Sequence, residues 1–234
     1  MLQKDRNNFQ RLTRRKLEVV ANLKFDFPIP KNLQLHAGKL RKELGVTSNF
    51  VVVAGSTRTG EEKIILNYFK ALPIDNVVLV IVPRHPQRFN EVENLIKLSD
   101  LPYVRRSAVR NVNTKVKVIL GDTMGDLYIY YGLADLVLLG GSLENFGSQN
   151  PIEPLRLGKP VAIGPSIYNF MDVIEKAEKQ ELIFRLNNIR GLESLIKNML
   201  KDAKNKALQK ERHTFVETQS GGSKKVAALL NQYL

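Results

Sequence analysis

The 234-residue chain has no cysteine, no tryptophan and only three histidines, His36, His85 and His213, widely spaced. Without cysteine there are no disulfides and no thiolate zinc sites, which fits a reducing compartment. Scattered histidines give little ground for a metal site. No apolar run approaches the length of a membrane span, and the N-terminus carries no apolar signal core. The dinucleotide fingerprint G-x-G-x-x-G and the Walker pattern G-x-x-x-x-G-K-[ST] are missing, which argues against NAD enzymes and ATP motors. Zinc-finger, RNP-type and helix-turn-helix patterns are missing as well. Acidic residues are in deficit: 23 Asp and Glu against 36 Lys and Arg leave a formal net charge of +13. The imbalance is steepest over residues 1–42, where eleven basic residues face only Asp5, Glu18 and Asp26. Such a chain favours anionic partners: nucleotides, an anionic membrane surface or nucleic acid. Having no nucleic-acid reading module, it favours the first two over the third.

What is present is an ordinary globular composition, 43% hydrophobic and 25% charged, long enough to bury one substantial core. Apolar spacing predicts an amphipathic helix over 2–17 and a short strand over 17–23. F-D-F-P-I-P at 25–30 breaks regular structure twice and reads as a linker. A basic helix is expected over 33–44. Then the pattern becomes regular. Apolar strands without alternation at 50–54, 77–82, 116–120, 136–139 and 161–163 are each followed by a polar loop and a helical pattern. A sixth strand is expected at 182–186, and helices over 192–212 and 224–233. Strands of this kind alternating with helices mean a Rossmann-like parallel sheet with helices on both faces.

In such a sheet, ligands bind outside the carboxyl ends of the strands. The loops there are polar and rich in glycine, whereas an opposite loop such as 72–76 is a plain connection, so a ligand site is expected on that edge. The stretch 140–165 is the most informative. It reads as a strand end, a glycine-bearing loop, a short helix opened by Asn150, Pro151 and Glu153, a stop at Gly158 and another strand. Such a helix N-terminus attracts an anion, although a capped helix that binds nothing has the same local pattern. Ser56, Thr57 and Gly60 precede Glu61 and Glu62 and offer either backbone N–H groups to an anion or a simple capping arrangement. Arg84 stands between Pro83 and Pro86, where stiff backbone suits a guanidinium to a phosphate fork. His85 is expected to make a structural hydrogen bond. Asp122 and Asp126 lack a third ligand for a metal, so helix capping by Asp122 is expected. Glu153 is suited to accept hydrogen bonds from two ribose hydroxyls.

Taken together, A-G-S-T-R-T-G-E-E, V-P-R-H-P-Q-R-F, L-G-D-T-M-G-D-L, G-G-S-L, N-P-I-E-P, L-G-K-P-V and N-F resemble the C-terminal half of 3-deoxy-D-manno-octulosonic acid (Kdo) transferases. N-L-K-F-D at 22–26 is similar to the segment where that family crosses between domains. The resemblance covers about residues 18–180. It implies a GT-B glycosyltransferase in lipopolysaccharide biosynthesis, inverting, without a bound metal or cofactor, with CMP-Kdo as donor substrate and a lipid A precursor as acceptor. It implies CMP contacts from Pro83, Arg84, Met124, Gly125, Asp126, Asn150, Pro151, Ile152 and Glu153, with Ser56, Thr57 and Gln149 near the anion or donor sugar. Residues 1–30 correspond to the end of the family's N-terminal domain plus the linker, and residues 31–234 to the donor-binding domain. No catalytic residue is expected in this chain. The general base belongs to the N-terminal domain, which a separate chain would have to supply. The expected location is cytoplasmic, at the inner face of the bacterial inner membrane. An exposed apolar face is expected around Phe25, Phe27 and Ile29, with self-association. Two departures stand out: Arg58–Thr59 replaces His-Glu, and Gln149 replaces the histidine before Asn-Pro. The alternatives are an inactive nucleotide-binding remnant or interaction module, or a transferase using another nucleotide sugar.

Overall fold

The computed structural model describes residues 3–108, 112, 115–201 and 204–232. Seven strands form one parallel sheet: β1 (Phe50–Thr57), β2 (Val77–Pro83), β3 (Tyr103–Arg105), β4 (Val118–Leu120), β5 (Leu136–Leu139), β6 (Val161–Ile163) and β7 (Ile183–Arg185). Their spatial order is β3-β4-β2-β1-β5-β6-β7. Side chains alternate along β1 to both faces, and both are dry. Val51 and Val53 pack with Leu33, Ala37 and Leu40 of α2 (Leu33–Glu43) and with Tyr130 and Leu133 of α5 (Leu127–Leu133). Val52 and Ala54 pack on the other face with Ile65 and Leu66 of α3 (Glu61–Ala71), Val92 and Ile96 of α4 (Phe89–Leu98), and Ile196 of α8 (Gly191–Lys201). This double burial is why the strands read as continuous apolar runs.

Beyond β5 and β6, a third cluster joins Ile152 and Leu155 of α6 (Ile152–Arg156), Ile174 of α7 (Met171–Glu178), and Phe215 and Val216 of α9 (Lys204–Glu217). Phe25 completes it at 3% exposure. The N-terminal segment is therefore docked on the domain. The buried Arg156 guanidinium and the Ser220 hydroxyl both donate to the Phe25 carbonyl. Asp26 accepts from Gly221 N and Ser223 N at the start of α10 (Gly222–Leu230). These two N–H bonds hold the Asp26 carboxyl below its usual range.

Several expectations are corrected. Residues 17–22 form no strand, because an extended run needs a partner strand and among the described residues none pairs with them; the next residues, Leu23–Asp26, form a 3-10 turn. The first helix stops early: α1 is Gln3–Gln10, and the Gln10 carboxamide donates to the carbonyls of Thr13 and Arg15, tying down the turn that follows. The expected helix over 192–212 is two helices, α8 and α9. The edge strand β3 was not foreseen; its three half-buried residues, Tyr103, Val104 and Arg105, run into Arg106 and offer little apolar pattern. Of the expected apolar face, Phe27 (60%) and Ile29 (37%) are exposed and Phe25 is not.

Candidate active site

The strand order reverses between β1 and β5, and their C-terminal loops part there into a crevice. A cavity of about 210 Å³ lies in it. Ser56 enters from the end of β1, Arg84 from the residue after β2, Gln149, Asn150 and Glu153 from the β5 loop and α6, and Lys24 from the N-terminal segment. Gly55 allows the floor: a Cβ there would stand 2.5 Å from the Tyr131 ring. The fully buried Tyr131 hydroxyl is bonded to Ser56, and burial pushes its pKa well above 10, so it stays protonated. Ser56 has φ +57°, a left-handed conformation that turns its side chain away from the path of the strand.

Asn150 and Glu153 are locked together. The Asn150 Oδ1 accepts from Ile152 N at 3.1 Å, the expected cap, while its Nδ2 donates to Glu153 Oε1 at 3.1 Å. Gly158 ends the helix as expected, at φ +70°. Burial raises the Glu153 carboxyl, and Asn150, Arg84 and Lys24 only partly offset it. With five residues, α6 has little macrodipole, so the anion-attracting groups are the two cationic side chains rather than the helix end. Neither Arg84 nor Lys24 has an ion-pair partner among the described residues. Lys24 is held by cation–π contact, its Nζ 4.4 Å from the Phe170 ring centre, and by Asn22 Oδ1 accepting its backbone N–H at 3.0 Å.

The cavity thus gathers Ser56, Arg84, Gln149, Asn150 and Glu153 from the sequence-derived set. It does not gather the others. Thr57 is turned inward, fully buried, and its hydroxyl donates to Glu62 at 2.7 Å. Pro83, Pro151 and Ile152 are buried supports. Met124, Gly125 and Asp126 form a turn outside the cavity, with Met124 69% exposed. Asp122 does not cap a helix; it is buried and bonded by the Arg105 guanidinium and the Ser107 hydroxyl. Burial alone would raise its carboxyl, but those bonds outweigh it and hold it low. Glu61 and Glu62 are buried too. Glu61 accepts the backbone N–H groups of Arg58, Gly141, Ser142 and Leu143, and Glu62 pairs with Arg88 at 2.7 Å. Lys24, Tyr131 and Phe170 were missed. The only signal for Lys24 was its place in N-L-K-F-D, with no indication that the segment folds back over the crevice. A larger, open groove of about 750 Å³ runs between the start of α2 and α9; it lies away from the strand ends, its Arg156 is bonded to Phe25 and Glu217, and its His213 is bonded to the Arg156 carbonyl.

A parallel sheet that reverses at β1/β5, with cations and a carboxylate converging on the crevice, defines a Rossmann-like C-terminal domain of a GT-B glycosyltransferase. The chain belongs to the glycosyl transferases group 1 family, whose pattern matches residues 38–218. It is 35% identical over 188 residues to the 3-deoxy-D-manno-octulosonic acid transferase of Haemophilus influenzae, covering 77% of this chain and 44% of that protein. Over 176 residues it is 40% identical to a bifunctional glycosyltransferase/methyltransferase of Fusobacterium nucleatum, covering 74% of this chain and 27% of that protein. The crystal structure of the C-terminal CMP-Kdo binding domain of WaaA from Acinetobacter baumannii superposes with a TM-score of 0.74 at 26% identity, covering 80% of this chain and 99% of that domain. The resemblance to Kdo transferases read from the motifs therefore holds. The chain spans less than half the length of these two relatives. Among the described residues, no helix is long and apolar enough to cross a membrane.

Proposed function

We propose that this chain is the donor-binding part of a Kdo transferase, holding CMP-Kdo for transfer to a lipid A precursor. The observation that carries the reading is the convergence of Lys24, Arg84, Asn150 and Glu153 on one cavity at the switch point of the sheet. The phosphate sits between the guanidinium and the ammonium, and the ribose hydroxyls donate to Glu153. At about 210 Å³ the cavity is smaller than the roughly 300–1,000 Å³ of a typical ligand pocket, so the base extends past it toward the Met124–Asp126 turn.

In the reaction the acceptor hydroxyl attacks the anomeric carbon, the bond from that carbon to the phosphate oxygen breaks, and CMP leaves. Arg84 and Lys24 meet the charge that grows on the leaving phosphate, and this step calls for no cofactor. The acceptor proton needs a base, worth about 10²–10⁴-fold, which an N-terminal domain or separate chain would supply. The basic N-terminal region suits the anionic cytoplasmic face of a membrane.

Calorimetric titration with CMP tests the reading. One site per chain is expected. Arg84→Ala should weaken it about 10–100-fold, the worth of a charge-assisted hydrogen bond. Lys24→Ala, which removes a point charge rather than a guanidinium fork, should weaken it by roughly fivefold. Preference for UDP over CMP would point to another nucleotide donor. A folded wild-type chain that binds neither would sink the reading of this chain as a donor site.

A further inference from the structure

Next to the cavity on the same edge stands Arg58, an arginine in a place that its surroundings fix but do not neutralise. Its Cζ lies 4.8 Å from the Phe146 ring centre, and Nη1 donates to His85 Nε2 at 3.1 Å. A guanidinium has donors only, so Nε2 accepts and the imidazole proton is on Nδ1. Phe146 is itself positioned: Asn169 Nδ2 donates to its carbonyl at 2.8 Å. Two of the nearby carboxylates are committed elsewhere. Glu61 binds backbone N–H groups, including that of Arg58, and Glu62 binds Arg88 and Thr57. The Glu144 side chain lies over Gly60, and Arg58 has no carboxylate within ion-pair distance among the described residues. The Arg84 backbone N–H donates to the Thr57 carbonyl at 3.0 Å, so the two arginines spring from adjoining strand ends. A half-buried cation braced by an aromatic face and an imidazole lone pair is pre-oriented for an oxyanion fork.

We propose that Arg58, braced by Phe146 and His85, is a specificity-determining residue that takes the carboxylate of a sugar-acid donor beside the phosphate held by Arg84. The inference rests on the donor-site reading above. A nucleotide-linked ulosonic acid carries its carboxylate on the same carbon as the phosphate, so two oxyanions lie close together and call for two cations. An ordinary hexose donor has no such second group.

The test is calorimetry on the intact chain with CMP and with freshly prepared CMP-Kdo, repeated with Arg58→Ala and Arg58→Lys. The wild type should bind CMP-Kdo at least about 10-fold more tightly than CMP. Arg58→Ala should bring that ratio close to one, and Arg58→Lys, which keeps the charge without the fork, should leave an intermediate ratio. A full preference retained in Arg58→Ala overturns the inference, as does a wild type that binds CMP with no preference for the sugar-acid donor; in both cases the nucleotide reading stands. A wild type that binds neither overturns both. In a further arm, inorganic phosphate is titrated into the CMP-saturated chain. Arg58-dependent phosphate binding without a CMP-Kdo preference would assign the residue to a phosphate and overturn the carboxylate assignment.

Discussion

Replacing Glu61 with alanine is expected to lower the free energy of unfolding by about 4 kcal/mol, since buried N–H groups left without a partner cost roughly 1–3 kcal/mol each. The residue is fully buried. Its Oε2 accepts from Gly141 N at 2.6 Å and Arg58 N at 2.9 Å, and its Oε1 from Ser142 N and Leu143 N, both at 2.9 Å. Burial pushes this carboxyl up, the bonds from Gly141, Arg58 and Leu143 pull it down, and the Glu62 carboxylate pushes it up again; the net shift is upward. Four donors and no acceptor leave nothing for a proton or an amide to do. Glu61→Gln should therefore rescue little, because its NH₂ would face N–H groups. The loss should reach the site. Gly140 and Gly141 carbonyls accept from Gln149 N and Ser148 N, so the loop that Glu61 holds also sets Gln149 and Asn150. Urea unfolding and CMP titration on both variants check this. A loss below about 1 kcal/mol in Glu61→Ala would contradict the clasp.

The second large effect concerns Glu153 and has the opposite stability signature. Glu153→Ala should weaken CMP binding by about 10–100-fold, the worth of hydrogen bonds to a charged acceptor, without lowering the stability of the free chain. The sign follows from its partners: Glu61 holds four backbone N–H groups, whereas Glu153 has only the Asn150 amide, and burial raises its carboxyl with Asn150, Arg84 and Lys24 only partly countering it. A carboxyl raised in the folded state contributes stability below its unfolded value, and that contribution is lost as pH rises through the folded value. At neutral pH the free chain therefore holds Glu153 ionised at a cost, which Glu153→Gln relieves. Ribose hydroxyls are donors and select the ionised form, so affinity should fall as pH drops toward the raised value. A cytidine 5′-phosphodiester is the right probe, because its phosphate has no second ionisation to confuse the profile. Glu153→Gln should flatten that profile. Parallel loss of stability and binding in Glu153→Ala would instead mark a structural carboxylate.

These two glutamates show how far residue type reaches. Glu61 reads locally as a helix-opening acid, and a helix-opening acid it is; three of its four partners lie 80, 81 and 82 residues later and belong to another loop. Asp122 reads as a cap and becomes the partner of Arg105 because a short edge strand, itself unforeseen, passes beside it. Glu153 lies where its near neighbours put it, in the first turn of α6, because its partner, Asn150, is three residues away. Local partners are legible in a sequence, whereas partners brought by sheet order are not.

By itself the chain of residues determined the parallel α/β architecture, the polar loops on the edge where the cavity lies and the Asn150–Glu153 turn. Strand burial on both faces writes an unbroken apolar run, and capping needs only near neighbours. Tertiary structure decided the rest. It turned Ser56 toward the cavity and Thr57 into the core, drew Met124–Asp126 aside, and brought Lys24 over the crevice through Phe25, Arg156 and the start of α10. Each of those placements depends on contacts between segments distant in the chain, whose free energy exists only once the sheet and its helices have closed around them.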